Sequence, residues 1–228
     1  MGYFAEIKLN EEIYKYYCKI TKKILNCENT YWNIIVGTYD EKQKIVIQSF
    51  INKEKVIYFK IGDFNSNKEM SSEITFLNQN KKFELFGIPN ILSSQKINEK
   101  NKFNIQVTEK FDGDKVPPYF TEDIYKIYKE ISKDKFIIDG IECEFSHGDF
   151  APWNLKYKNN KYVVFDWEHC GIRICQFDLF HFIVVVEEKL NGKTLEEAFD
   201  VALKNIEKFE PIIINKEKFF EEYKKLRL

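Results

Sequence analysis

Apolar residues return every third or fourth position from residue 10 to 25, so that Ile13, Tyr17, Ile20 and Ile24 fall on one face of a helix. Asn10 is placed to cap it, and Glu11 and Glu12 occupy its first turn. From Trp32 the rhythm changes to short runs rich in Val, Ile, Phe and Tyr with polar turns between them. Residues 33–38, 45–51 and 55–61 read as three strands. A helical pattern resumes over 67–80, with Met70, Ile74 and Leu77 as its stripe and Glu69 and Glu73 one turn apart on one face. Two more strands follow, around Ile91 and over 103–108. Pro117-Pro118 breaks the chain, and Thr121 caps a helix whose stripe is Ile124, Ile127, Tyr128 and Ile131. Residues 176–190 form a very apolar helix. Thr194-x-x-Glu197 is a capping box that opens an amphipathic helix with Leu195, Phe199, Leu203 and Ile206 on one face, and a last helix begins near Asn215. The pattern predicts an α+β chain in two parts. Residues 1–110 make a β-rich lobe with a leading helix, and residues 111–228 a mainly helical lobe.

Composition narrows the class. A chain of 228 residues that is 44% hydrophobic, with 21 Phe and 13 Tyr, can build one large or two small cores. Thirty-five basic residues against 36 acidic ones argue against a general nucleic-acid binder, which carries a basic balance. Five scattered cysteines without a C-x-x-C fit a reducing compartment. Without a basic n-region or a long apolar run, the expectation is a cytoplasmic protein with no signal peptide and no membrane span. Met1-Gly2 opens like a myristoylation signal, but Glu6 stands where Ser or Thr is needed. Oligomeric state is not readable.

Residues 145–168, FSHGDFAPWNLKYKNNKYVVFDWE, carry the densest chemistry. His147-Gly148-Asp149 is followed by Asn154, five residues after the Asp, then by Leu155-Lys156-Tyr157-Lys158, a polar Asn159-Asn160 turn, Tyr162-Val163-Val164-Phe165 and Asp166. A two- or three-residue turn pairs Lys158 with Lys161 or Tyr162, and that register sets Asn154 opposite Phe165 or Asp166. Facing residues on paired strands sit about 4.5–5.5 Å apart. An amide oxygen and a carboxylate oxygen can then reach one hard cation, which takes ligands at about 2.0–2.1 Å if it is Mg2+. Asp149 lies just before, on a loop where it can receive the proton of an attacking hydroxyl.

This is the grammar of a kinase catalytic loop, with an Asn five residues after the Asp and a strand pair ending in a metal-binding Asp. The run resembles the kinase-like small-molecule phosphotransferases, the aminoglycoside phosphotransferase and choline/ethanolamine kinase group. Gly148 stands where a protein kinase has Arg, Asp166-Trp167-Glu168 replaces Asp-Phe-Gly, and Phe177-Asp178-Leu179 follows, as in choline-kinase-like enzymes. The resemblance covers roughly residues 32–190 and is specific over 146–178. It implies a protein-kinase-like two-lobed fold and transfer of the ATP γ-phosphoryl group to a hydroxyl of a small molecule, a sugar or amino-alcohol-like acceptor. Asp149 would be the catalytic base, with His147 bracing its loop. Asn154 and Asp166 would hold Mg2+. Lys60 would hold the α- and β-phosphates, paired with Glu73, or with Glu69 in its place. Glu109 marks the connector whose backbone meets the adenine edge, and Asp178 would support the catalytic loop. The turn at 36–40, where a kinase keeps its glycine-rich phosphate loop, has a single Gly.

Other readings use the same stretch. A non-catalytic nucleotide-binding scaffold with a degenerate kinase-like fold is the main alternative. His147, His169, His181, Cys170 and Cys175 lie in one span, but their spacings match no zinc finger or ribbon. Asp149, His181 and Ser146 suggest a hydrolase triad, without the G-x-S-x-G elbow. Trp153 is a core residue or a stacking platform for the acceptor. Glu168 is a second metal contact, an acceptor-site carboxylate or a solvated turn residue.

Overall fold

The computed structural model describes residues 11–27, 30–36, 44–52, 55–63, 68–79, 82–97, 103–212 and 215–227. In chain order the elements are α1 (Glu11–Leu25), β1 (Tyr31–Val36), β2 (Lys44–Phe50), β3 (Val56–Asp63), α2 (Lys68–Asn78), β4 (Phe86–Gly87), β5 (Ile91–Ile97) and β6 (Phe103–Glu109). They continue with β7 (Asp114–Lys115), α3 (Glu122–Ile131), β8 (Lys135–Ile138), β9 (Ile141–Ser146), β10 (Leu155–Lys158), β11 (Lys161–Val164), β12 (Gly171–Ile174), α4 (Phe177–Lys189), α5 (Leu195–Ile206) and α6 (Lys216–Leu226). The Asn10 cap, the single-glycine turn at 37–40, the Met1-Gly2 start and the outermost residues of the helix expected over 67–80 lie outside the described residues. The chain divides into two units, Met1–Ile74 with Asn90–Lys110, and Thr75–Pro89 with Phe111–Leu228.

In the first unit the strands form one antiparallel sheet in the order β1-β2-β3-β6-β5. Alternation along β3 sorts its side chains: Ile57, Phe59 and Ile61 are buried, while Tyr58 and Lys60 point to the other face. The buried set meets Ile13, Tyr17, Ile20 and Leu25 of α1 in one apolar cluster with Ile47, Ile105 and Val107. Tyr17 packs on Phe59 with ring centroids 4.9 Å apart, and its hydroxyl accepts a bond from Ser49 Oγ at 2.9 Å. The sequence pattern ends this strand at Ile61. It runs on to Asp63, because β2 pairs with it through Gly62 and β6 through Asp63. Lys60 therefore stands within a strand that is paired on both sides.

The second unit is built around α4, in which every residue from Phe177 to Val186 is buried. A helix apolar on all sides must be enclosed by other elements. Phe180 meets Phe199 of α5 at 4.9 Å and Phe219 of α6 at 4.4 Å. The expected capping box at Thr194 makes both of its bonds. Two small sheets complete the unit, β4-β11-β10-β7 and β12-β9-β8. The second was not legible in the pattern. Its middle strand carries Glu144 at a fully buried position, which breaks the apolar alternation. Glu144 is matched by three donors: the Tyr128 hydroxyl, the Gln176 backbone N–H and the Lys135 ammonium.

Candidate active site

The hairpin settles its own register. Asn159 and Asn160 both take left-handed backbone angles, with φ of 51° and 58°, as a two-residue hairpin turn requires. Lys158 therefore faces Lys161, and Leu155 faces Val164. Phe165 N–H donates to the Asn154 carbonyl at 3.1 Å, so Asn154 lies opposite Phe165 and one step from Asp166. Asp166 is itself left-handed, at φ 67° and ψ 57°. Asp and Asn are the non-glycine residues that visit this region most readily.

β9 leads into the His147–Asp149 loop, and the start of α4 holds it. Asp178, fully buried, accepts from Ser146 Oγ at 2.7 Å, from His147 N–H at 2.6 Å and from Gly148 N–H at 3.0 Å. This is the bracing role that the resemblance gave to Asp178. Gly148 has φ +87°, and a Cβ there would overlap the His169 carbonyl. The loop thus lies directly against the turn that follows Asp166.

His147 is fully buried. Its Nε2–H donates to the Phe165 carbonyl at 3.1 Å, and its Nδ1 accepts from Asp149 N–H at 3.2 Å. Burial pushes its pKa down, although the Asp178 and Asp149 carboxylates pull the other way. It braces the loop as a neutral ring. The unfolded chain takes up a proton here near pH 6.5 while the folded chain resists. The stability contribution is therefore intact above that pH and declines below it, by up to about 1.4 kcal/mol per pH unit. Urea unfolding of the wild type at pH 7, 6 and 5 is expected to show this slope, and His147→Gln to flatten it. An equal slope in both proteins would put the titration elsewhere.

Asp149 is the hub. Asn154 Nδ2 donates to its carboxylate Oδ2 at 2.9 Å and to its backbone carbonyl at 2.8 Å. His181 Nε2 lies 2.9 Å from Oδ1. Burial raises the Asp149 pKa, but the hydrogen bonds from His181 and from the Asn154 amide outweigh it and hold the carboxyl below its ordinary value. Asp149 is thus a carboxylate at neutral pH, ready to accept a proton. Asn154 makes both bonds through its amide nitrogen, so its oxygen is what it has left to offer a cation. An amide oxygen and the Asp166 carboxylate are hard donors, the set that suits Mg2+.

In the first unit Lys60 Nζ pairs with Glu73 Oε2 at 2.9 Å, and Glu73 is buried. Glu73 rather than Glu69 is the partner found. Asn104 Nδ2 donates to Ser71 Oγ at 2.8 Å and ties this part of α2 to β6. Glu109 is the exposed last residue of β6, opposite Ile57.

The rival readings fare differently. His147 and His181 both engage both ring nitrogens in hydrogen bonds, leaving none for zinc. Asp149 and His181 do meet, but Ser146 Oγ donates to Asp178, so no serine–histidine pair forms. Trp167 is core, stacked on Phe76 at 4.4 Å with its Nε1–H bonded to the Val164 carbonyl. Trp153 is 39% exposed and carries the Lys189 ammonium 5.0 Å above its ring. Glu168 is buried, which rules out the solvated-turn reading.

No family model and no curated protein sequence matches the chain. Solved structures do. Amicoumacin kinase, solved with AMP-PNP and Ca2+, aligns over 96% of this chain and 86% of its own, at 12% identity and a TM-score of 0.51. An aminoglycoside phosphotransferase from Streptomyces rimosus aligns over 92% and 98%, at 10% identity and 0.55. A choline kinase from Cryptosporidium parvum aligns over 76% and 69%, at 14% identity and 0.51. The fold is the kinase-like phosphotransferase fold. The sequence joins His181 to Asp149 only in the triad reading, and the contact forms here without the serine. The two residues are 32 apart in sequence, and only the packing of α4 brings them together. Among the described residues, no helix is long and apolar enough to cross a membrane.

Proposed function

We propose that the chain is an ATP- and Mg2+-dependent phosphotransferase acting on a hydroxyl of a small molecule of the sugar or amino-alcohol type. The observation that supports it most is the Asp149 carboxylate, held below its ordinary pKa and bonded to an Asn five residues on, beside a hairpin that ends on Asp166. Residues 1–110 serve as the nucleotide-binding lobe and residues 111–228 as the catalytic lobe. Asp149 takes the proton of the acceptor hydroxyl. The acceptor oxygen then bonds to the γ-phosphorus, the bond to the β,γ-bridging oxygen breaks, and ADP leaves. Asn154 and Asp166 hold Mg2+, which supplies charge neutralisation on the phosphate oxygens. Lys60, fixed by Glu73, presents its ammonium to the α- and β-phosphates. Catalysis of this kind is mostly positioning and electrostatics.

Thermal unfolding with ATP, with Mg2+ and with both tests the reading without knowledge of the acceptor. Ligand at a hundred times its dissociation constant adds about 2.7 kcal/mol. For a chain of this size each kcal/mol is a rise of about 2–4 °C. The rise is expected to need both ligands and to vanish in Asp166→Asn, whose side chain suits the left-handed backbone equally well. No rise with any nucleotide would sink the enzymatic reading.

A further inference from the structure

We infer that His181 is the residue that positions the catalytic carboxylate, and that Tyr223 of α6 fixes His181 for the task. This rests on the phosphotransfer reading above and goes beyond its motif residues.

The imidazole is constrained on three sides. Its Nε2 lies 2.9 Å from Asp149 Oδ1, its Nδ1 lies 3.1 Å from the Tyr223 hydroxyl, and its ring stacks on Phe177 with an interplanar angle of 12°. His181 and Tyr223 are both buried. A carboxylate oxygen can only accept, so Nε2 carries a hydrogen. Burial pushes the Tyr223 hydroxyl pKa up, so it keeps its proton and can donate it to a bare Nδ1. One tautomer satisfies all three groups: Tyr223 O–H to Nδ1, and Nε2–H to Asp149. With Asn154 Nδ2–H on Oδ2, each oxygen of Asp149 then receives one donor. The plane of the carboxylate is set from both ends, and each oxygen keeps a lone pair for the acceptor hydroxyl. Asp149 is also the one member of this chain of bonds that reaches solvent appreciably, with its side chain 22% exposed against 2% for His181.

The geometry separates two conservative replacements. In Gln the amide nitrogen stands where Nε2 stood, and in Asn it stands where Nδ1 stood. His181→Gln keeps the donor to Asp149, while His181→Asn keeps only the partner of Tyr223. The test measures release of phosphate from Mg-ATP with water as acceptor, in wild type and in the Gln, Asn and Ala variants. Misplacement of a reacting group by about 1 Å costs up to about 100-fold in rate. Asn and Ala are expected to lower kcat by tenfold to about that limit with KM for ATP unchanged, and Gln to recover most of the loss. A merely structural role would lower thermal stability without separating Gln from Asn. Nitrogen-15 NMR of the wild-type imidazole is expected to show Nε2 protonated and Nδ1 bare, a preference that loosens in Tyr223→Phe. Equal kcat losses in Gln and Asn, or a protonated Nδ1, would overturn the inference while the phosphotransfer reading stands. A wild type that shows no Mg-ATP-dependent thermal shift sinks that reading instead, and this inference with it.

Discussion

Gly148→Ala is expected to unfold about ten degrees or more below the wild type, the largest stability loss of any single methyl group added to this loop. Two costs combine. A non-glycine residue at φ +87° is strained by about 1–3 kcal/mol. The added Cβ would also sit 2.7 Å from the His169 carbonyl carbon, where the neighbour is backbone and cannot swing aside. Relief requires the loop to move, and the loop is held by two backbone N–H bonds to the Asp178 carboxylate. Hydrogen bonds to a charged partner contribute about 1.5–3 kcal/mol each. A total of about 4 kcal/mol, at about 2–4 °C per kcal/mol, gives the expected shift. Gly192→Ala is the control. Gly192 has φ +67° but nothing within 4 Å of its Cβ position, so it should cost only the strain. Calorimetry of the two variants separates steric conflict from backbone strain. Equal losses would mean that the overlap at Gly148 is relieved at no cost.

Asp149→Asn is expected to abolish turnover and leave the fold in place. General-base catalysis contributes about 100- to 10,000-fold, and an amide cannot take the acceptor proton. The hydrogen-bond network tolerates the change. The amide oxygen accepts from one neighbour, and His181 can meet the new N–H2 group by moving its own proton from Nε2 to Nδ1. Thermal stability should stay within a few degrees, and the Mg2+-dependent ATP shift should persist. Phosphate release within tenfold of wild type would remove Asp149 from the catalytic role.

The legible parts of this chain were those in which neighbours in sequence decide the structure. The Asn159-Asn160 turn fixes its own register. The kinase resemblance offers Lys60 a partner in Glu73 or Glu69 on the helix that follows, and the ion pair forms with Glu73. The capping box at Thr194 is local in the same way. What stayed hidden depends on distant partners. β9 did not look like a strand because Glu144 faces inward, where Tyr128, Lys135 and Gln176 converge on it. β4 is two residues long and exists only through parallel pairing with β11. In sequence His181 belongs to a triad reading that lacks its elbow motif, and the packing of α4 and α6 places it between Asp149 and Tyr223.

The left-handed backbone at Asp166 also bears on how such a gene can drift. Only Gly, Asn and Asp sit there cheaply. Every Asp codon is a single base change from an Asn codon and from a Gly codon. Loss of the proposed metal carboxylate is thus one mutational step away, and either replacement suits the turn. Copies silenced at this position are expected to persist as folded proteins, and so to be found among natural variants more often than copies silenced at Gly148.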